Sequence, residues 1–390
     1  MILFVVPSSS SWNIDGLLKL VDEDLVGRVG TLTPDELITR DRVPFATFIV
    51  GNFRLLGPAG QEIVDTLCNQ FTKQNPSVPI LNHPARAMSR VQLLEQLYND
   101  GINDFRVFRV VEKLPADVRF PIFIRHADNH NGSLTRLIET TEGYDTALDK
   151  LVRRANYDIC DLMAVEFSDI ADENGFYRKY TAFRVGNEII PRSLKFDTNW
   201  VVKSGADEAY LHPVTGYFDK ARIREERAYM EQNPHESWLK KVFDLAQIEY
   251  GRIDYSMAGD APRIWEINTH PTFLSRYQNS TELSRLIREA RSPVIKMFYS
   301  RLSSALREID GDAHLHREYV FRVSQRLLDQ RRRENRASLF HTYRTDGKNR
   351  LRWILGWFGR HYPESRVYHF LRRTIGAKLW NMIFVARKKS

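Results

Sequence analysis

Tyr250-Gly251-Arg252-Ile253-Asp254-Tyr255 and Ile264-Trp265-Glu266-Ile267-Asn268-Thr269-His270-Pro271 are the two stretches that decide the fold of this chain. Both are rich in branched and aromatic residues, and the turn residues 258–262 separate them, so they predict a β-hairpin. Side chains alternate along a strand, so Glu266 and Asn268 project from one face of the second strand. With Asp254 on the first strand they form a set of two carboxylates and an amide, which suits Mg²⁺ because room is left for water and phosphate oxygens. The chemistry that this predicts is phosphoryl transfer from a nucleotide.

The hairpin resembles the metal-binding end of the ATP-grasp ligases. Gly251-Arg252-Ile253-Asp254, followed by Glu266-Ile267-Asn268-Thr269-X-Pro271, is similar to the D-alanine:D-alanine ligase branch in particular. The resemblance implies that Asp254, Glu266 and Asn268 hold the Mg²⁺ ions that bridge the ATP phosphates. It also implies that Arg252 stabilises the oxyanion of a tetrahedral intermediate. One departure is Thr272, since the family usually has Gly directly after the proline.

Length and composition agree with a globular enzyme. A chain of 390 residues can bury a large core and is expected to divide into two or three domains. Cys68 and Cys160 are its only cysteines, which argues against a disulfide scaffold or a thiolate zinc site. The apolar opening 1–6 has no basic segment before it and is predicted to be a first strand rather than a signal peptide. No apolar run approaches the roughly 20 residues that span a bilayer, so we expect no transmembrane segment and a cytoplasmic location.

Positive charge is concentrated at the C-terminal end. Residues 316–390 contain 19 Lys and Arg against 5 Asp and Glu, while the whole chain has a net charge of only +8, so the remainder is mildly acidic. Aromatic residues, including Trp353, Trp357 and Trp380, are interleaved with these cations. This basic tail could contact a partner, an anionic surface or nucleic acid, or it could pack as a helical extension on the body or on a second subunit of a homodimer.

The predicted fold class is α/β (α+β), an ATP-grasp fold with three parts. Residues 1–82 are predicted to form an N-terminal pre-ATP-grasp α/β domain, with strands near 2–6 and 46–50 and an amphipathic helix over 60–71. Residues 83–300 are predicted to be the ATP-grasp domain, with two lobes and a hinge near 163–170. Residues 301–390 are predicted to be a basic helical extension. The resemblance itself covers roughly residues 80–275.

Several residues before the hairpin are candidates for nucleotide binding. Arg125 ends a predicted strand, and the loop after it contains Gly132 and Ser133, so this segment could cover phosphate or could be an ordinary turn. The resemblance places Glu166 and Phe167 at the adenine hinge. It also leaves Asp169 and Asp172 as alternatives for the ribose hydroxyls.

Three further cations complete the predicted nucleotide site. Lys179 and Arg192 lie on a predicted hairpin with Gly-Asn at its turn, and they either face phosphate or are solvated strand residues. Lys203 precedes a small-residue loop that could close on the γ-phosphate.

Two other features have structural interpretations. Arg90, on a predicted helix, is interpreted as a lone surface arginine. His126 and His130 are interpreted as residues that line or cap their loop rather than as metal ligands, because the intervening residues have loop composition.

The sequence therefore predicts an ATP- and Mg²⁺-dependent ligase that joins a small-molecule carboxylate to an amine or related nucleophile through an acyl phosphate. One alternative is a phosphotransferase that uses the same ATP site on a hydroxyl acceptor. Another is a nucleic-acid- or membrane-surface-binding protein with a degenerate body. The loops 13–18 and 272–279, which are expected to select the acceptor, carry no recognisable substrate motif.

Overall fold

The computed structural model describes residues 1–40, 42–74, 76, 79–129, 132–155, 157–203, 207–212, 216–273, 281–310 and 318–345. It contains two compact units, residues 1–322 and residues 323–390. The strands are β1 Ile2–Val5, β2 Val29–Leu32, β3 Arg42–Pro44, β4 Thr47–Val50, β5 Ile80–Leu81, β6 Val107–Arg109, β7 Ile122–His126, β8 Leu162–Glu166, β9 Tyr177–Val185, β10 Glu188–Asp197, β11 Tyr250–Ala258, β12 Ala261–Asn268 and β13 Glu318–Val320. The helices are α1 Trp12–Leu17, α2 Glu23–Val26, α3 Pro34–Leu37, α4 Gly57–Gln74, α5 Arg90–Asn99, α6 Thr141–Asp149, α7 Ala221–Gln232, α8 Glu236–Ala246, α9 Glu282–Ile309 and α10 Gln325–Thr345.

The N-terminal part is a four-stranded parallel sheet with the order β2-β1-β4-β5. Every residue of β1 and β4 is buried, as the continuous apolar runs predict for a parallel sheet covered on both faces. Helix α4 packs its buried face, which includes Ile63, Leu67 and Phe71, into the core. The α/β character predicted for this region is confirmed.

Two antiparallel sheets follow. The smaller has the order β6-β8-β7, and the larger has the order β10-β9-β11-β12. Helices α7 and α9 pack against β10 of the larger sheet. The predicted hairpin is confirmed, since β11 and β12 pair antiparallel around a tight turn at Gly259 and Asp260.

Helix α6 begins at Thr141, because the Thr140 side chain accepts a hydrogen bond from the Gly143 N–H and caps it. It ends in a π-helical turn at Lys150–Arg154. Helix α9 runs without interruption through residue 300, where a domain boundary was predicted; the domain division stays a prediction.

Asn82 joins the parallel sheet to the hairpin. It is 2% exposed and adopts a left-handed backbone conformation with φ 59°. Its Nδ2 donates to the carbonyls of Val50 and Tyr250, and its Oδ1 accepts from the N–H groups of Glu249 and Tyr250. One amide thus satisfies four buried backbone groups at the junction of β4, β5 and β11.

The segment after β12 is hydrogen-bonded to α1 and to the backbone that follows β4. Asn13 Nδ2 donates to the carbonyl of Pro271 at 2.6 Å, and the N–H of Phe273 donates back to Asn13 Oδ1 at 3.1 Å. Thr269 Oγ1 accepts from the N–H of Asn52. A Cβ on Gly51 would lie 3.0 Å from the carbonyl oxygen of Thr269, so a larger residue here would require this segment to shift. We call residues 269–273 the latch.

The described part of the second unit is α10. Within it Arg331 pairs with Glu334 and Arg332 with Asp329. The aromatic cluster of the predicted basic tail, at Trp353, Trp357 and Trp380, lies outside the described residues. Among the helices that the structure describes, none has the length and apolar character needed to cross a membrane.

Candidate functional site

One face of the large sheet collects the polar side chains that the sequence singled out. Strand register places Asp254 opposite Thr181 on β9 and opposite Glu266 on β12, and places Arg252 opposite Asn268. On β10, Ser193 lies opposite Thr181 and Lys195 lies opposite Lys179. Since directly opposed residues of antiparallel strands share a face, these side chains form a single surface. This site face comprises Lys179, Thr181, Ser193, Lys195, Arg252, Asp254, Glu266 and Asn268.

A cavity of about 560 Å³ lies between the site face and the small sheet. The predicted site residues that line it are Arg125, Ser133, Phe167, Lys179, Lys203, Arg252, Asp254 and Glu266. Charged side chains from sequence positions far apart therefore meet in one place. The lining includes four cations and two carboxylates, which makes the cavity suited to an anionic ligand.

The two carboxylates are held by arginines. Glu266 Oε2 accepts from Arg125 Nη2 at 2.5 Å and from Arg90 Nη2 at 2.9 Å. Asp254 accepts from Arg252 at 2.7 and 3.2 Å, and Lys179 Nζ lies 3.6 Å from it. Each acid is thus paired with adjacent cations at the cavity wall.

Arg90 corrects a sequence-based interpretation. It is 7% exposed and donates to the carbonyls of His126, Ala127 and Asn129 as well as to Glu266, so it is not a surface arginine. Burial lowers the pKa of Arg90 to about 10 against the opposing effect of Glu266. His126 caps its loop as predicted, because its Nδ1 accepts from the N–H groups of Asp128 and Asn129. His130 lies outside the described residues.

Asp254, Glu266 and Asn268 carry oxygen atoms of the kind that bind a divalent cation. Asp254 and Glu266 are opposed across β11 and β12, where Cβ atoms are about 5 Å apart, so carboxylate oxygens of both can reach one ion. Asn268 is 3% exposed, and its Oδ1 accepts from the N–H of His270. Within the described ranges, no group of three or more His, Cys, Asp and Glu side chains is placed to hold a metal. The predicted set of two acids and one amide therefore stays a prediction.

An aromatic wall forms the apolar part of the cavity. The Trp200 ring centroid lies 4.8 Å from that of Phe123 and 5.6 Å from that of Phe167, and all three rings line the cavity. A planar base can stack against such a surface. Trp200 was not among the predicted site residues, since a lone tryptophan in a loop carries no sequence signal for this role.

Glu166 lies behind this wall rather than in the cavity. Burial alone would raise the pKa of Glu166, but hydrogen bonds from Arg106 and Arg119 lower it to about 2. The N–H groups of Glu166 and Phe167 donate to the carbonyls of Arg106 and Pro121. At the predicted hinge, it is therefore the Phe167 ring and Ser168 that face the cavity.

The two ribose candidates differ in their surroundings. Asp172 accepts from the N–H groups of Asn174 and Phe176 and pairs with Arg178, which fixes the turn before β9. Asp169 is exposed and accepts from the hydroxyl of Tyr177, a residue that lines the cavity. Asp169 is the better placed of the two for a ligand at the cavity rim.

The cations predicted to contact phosphate lie in different places. Lys179 and Lys203 line the cavity. Gly132, with φ 82°, lies beside Lys203, since a Cβ there would be 3.1 Å from Lys203 Cε. Arg192 does not line the cavity; its guanidinium stacks on the rings of Phe298 and Tyr299 at 4.6 and 5.5 Å.

Lys195 is a site residue that sequence reasoning missed. It lies directly opposite Lys179, and both ammonium groups donate to the carbonyl of Lys203, at 3.2 Å from Lys195 and 3.5 Å from Lys179. The pKa of Lys195 is lowered to about 7, first by burial and then by the charges of Lys179, Arg252 and Arg291. The charge of Asp254 opposes this shift. The site face therefore contains two like charges side by side, which disfavours folding unless an anion joins them.

Replacing Lys195 with Met is expected to stabilise the ligand-free protein at low and neutral pH. The folded-state pKa of Lys195 is about 7, and the ordinary value is 10.5. Between these pH values the unfolded chain therefore binds more protons than the folded chain, so wild-type stability rises with pH over this range. The gain in the free energy of unfolding for Lys195→Met should be at least about 1 kcal/mol at pH 6 and smaller at pH 9. Urea denaturation at the two pH values checks this, and a gain that grows with pH would contradict it.

Comparisons with known proteins give likenesses to solved structures. No protein-family model and no curated protein matches the chain. A D-alanine–D-alanine ligase from Bacillus anthracis is 14% identical, with 86% of this chain and 99% of that chain covered and a TM-score of 0.44. A RimK domain ATP-grasp protein from Sphaerobacter thermophilus is 12% identical, with coverage of 77% and 99% and a TM-score of 0.38. The ATP-grasp ligase PsnB, solved with a phosphomimetic variant of its minimal precursor, Mg and ADP, is 11% identical, with coverage of 75% and 97% and a TM-score of 0.40.

The architecture agrees with the predicted fold class. A parallel α/β sheet precedes two antiparallel sheets, and the cavity with the charged side chains lies between those two sheets. The predicted α/β (α+β) character is confirmed, and the arrangement is consistent with the ATP-grasp fold that the sequence resemblance implies. At the low identities above, the chemistry of this chain is argued from its own residues.

Proposed function

We propose that this chain is an ATP- and Mg²⁺-dependent ligase that activates a carboxylate as an acyl phosphate and transfers the acyl group to an amine or related nucleophile. The observation that carries the proposal is the cavity wall on which Asp254 and Glu266 oppose each other among Arg125, Lys179, Lys203 and Arg252. Such a wall matches a polyphosphate with its cation. The adjoining aromatic wall of Phe123, Phe167 and Trp200 matches a base.

Each group has a role in the proposed reaction. Asp254, Glu266 and Asn268 would hold Mg²⁺, which when bound would neutralise charge on the phosphate oxygens. Lys179, Lys203 and Arg125 would position the phosphates and offset the negative charge that grows as the γ-phosphoryl group moves to the substrate carboxylate. The buried strands of the site face hold these groups in place before substrate arrives.

Arg252 is suited to the second step. Burial alone would lower the pKa of Arg252, but Asp254 raises it, so the guanidinium is permanently charged. Asp254 holds its Nε and Nη2. A planar donor group fixed in this way can stabilise the oxyanion that forms when the amine attacks the acyl phosphate.

Arg252→Lys is expected to slow product formation by about ten- to a thousandfold, because a compact ammonium cannot keep the two contacts to Asp254 and also donate to an oxyanion. The Kd for Mg-ATP should change far less. Steady-state rates and ATP titration measure the two quantities. A large loss of ATP affinity with unaltered chemistry would assign Arg252 to the nucleotide instead.

Trapping the activated carboxylate tests the function directly. The purified chain is incubated with Mg-ATP, hydroxylamine and a pool of amino acids and small carboxylates, and hydroxamate and ADP are measured together. An acyl phosphate gives hydroxamate and ADP in equal amounts. Asp254→Asn should abolish both, whereas Asp244→Asn, a change at an exposed aspartate that pairs with Arg184, should not. Formation of a stable phosphoester without hydroxamate would favour the phosphotransferase instead.

A further inference from the structure

Two cations on β10 have no acidic partner among the described residues. Arg192 and Lys195 are half-buried, and within the described parts of the chain neither has an Asp or Glu oxygen at ion-pair distance. Residues 274–280, which follow the latch, contain no Asp or Glu either. Charges removed from water in this way are normally paired, so the arrangement indicates a ligand that is itself an anion.

The neighbouring cations Arg252 and Arg291 do have acidic partners, unlike Arg192 and Lys195. Arg291 is neutralised by Glu226, with contacts of 2.6 and 2.7 Å, and Arg252 is neutralised by Asp254. Arg252 and Arg291 each act on both Arg192 and Lys195 electrostatically, so the two unpartnered cations lie in one region of positive potential. This excess of charge lies beside Arg252, the residue proposed to contact the reacting acyl group.

The bulge in β10 creates this arrangement. The pairing with β9 shifts between Pro191 and Ser193, which brings Lys195 opposite Lys179 and directs Arg192 onto the rings of Phe298 and Tyr299 on α9. Contact with the two rings holds the guanidinium without using its N–H donors in an ion pair, which leaves donors for a ligand. A carboxylate can accept hydrogen bonds from a guanidinium and from an ammonium group.

We infer that Arg192 and Lys195 form an anion subsite that takes a second acidic group of the substrate, so the substrate is a dicarboxylate or an acidic amino acid. The inference rests on the proposed ligase function. Arg252 would contact the carboxylate that reacts, and the subsite would hold the one that does not. Specificity then follows from charge, because a neutral analogue leaves both cations without a partner.

Binding without turnover tests the subsite. Calorimetric titration of the full chain, in the absence of ATP, compares succinate, glutarate, L-aspartate and L-glutamate with butyrate, L-asparagine and L-glutamine. We expect at least one diacid to bind about 10- to 100-fold more tightly than its matched monoacid. Arg192→Met and Lys195→Met should each remove that preference, and Arg192→Lys should keep part of it. Arg224→Met, at an exposed position of α7, is the matched control and should bind as the wild type does.

Three results would overturn the inference. The first is equal binding of diacids and monoacids by the wild type. The second is an unchanged preference for diacids in folded Arg192→Met and Lys195→Met. The third is a tenfold loss of Mg-ATP affinity in these variants with diacid binding intact, which would assign the cations to the triphosphate. Failure of the ligase function would appear differently, as no Mg-ATP binding and no ADP release with any acid.

Discussion

Glu266→Gln is expected to lower Mg²⁺-dependent turnover by at least about 100-fold, because the amide keeps the shape of the side chain but removes the charge proposed to bind the metal. The same change takes the anionic partner from Arg90 and Arg125, which both contact Glu266 Oε2. Removing one partner of a buried ion pair costs about 3 kcal/mol of stability. Activity and stability should therefore both fall, and ADP release and urea denaturation measure them separately.

A second buried glutamate provides the control for this experiment. Glu166 is also held by two arginines, Arg106 and Arg119, but its carboxylate lies behind the cavity wall. Glu166→Gln should cost comparable stability while turnover of the folded enzyme stays within a fewfold of the wild type. If folded Glu266→Gln kept full Mg²⁺-dependent activity, Glu266 would be a structural ion-pair residue and no metal ligand.

Asn82→Ala is expected to destabilise the protein by about 3 kcal/mol or more. The substitution leaves the carbonyls of Val50 and Tyr250 and the N–H groups of Glu249 and Tyr250 without their partners in a buried setting. It also puts alanine at a left-handed φ of 59°, a conformation that asparagine adopts at lower cost because its short polar side chain can hydrogen-bond locally. Asn82→Gly separates the two contributions, because it removes the same amide without the backbone strain. The difference between the variants should be about 1 kcal/mol.

Asn69→Ala, at an exposed position of α4, serves as the reference substitution and should be close to neutral. Urea denaturation of the three variants gives the comparison. Values for both Asn82 variants within 1 kcal/mol of the wild type would show that water satisfies the four backbone groups, and that the amide does not hold the junction together.

The hairpin could be predicted from the sequence because its information is local. Strand alternation and a short turn were enough to place Glu266 and Asn268 on one face, and the structure pairs Asp254 with Glu266 there. The sequence also singled out the cavity cations, with Arg125 at the end of a strand, Lys179 on a hairpin strand and Lys203 before a loop. Local signals therefore located most of the candidate site.

Lys195 could not be found in this way because its orientation depends on a bulge. If the register set by the Gly186–Asn187 turn continued unbroken, Leu194 would lie opposite Lys179 and Lys195 would lie on the other face. The shift between Pro191 and Ser193 puts Lys195 there instead. Arg90 was missed for another reason, since its burial depends on Glu266, a partner far away along the chain.

The latch has a consequence for the order in which the protein folds. Asn13 and Pro271 are separated by 258 positions in the sequence, and the contact between them completes the end of β12. Such a contact forms only after the intervening chain has folded into its sheets, since closing so long a loop early costs entropy that nothing yet offsets. The candidate site is therefore assembled late in folding, and the amide of Phe273 should exchange its hydrogen only when the parallel sheet opens as well.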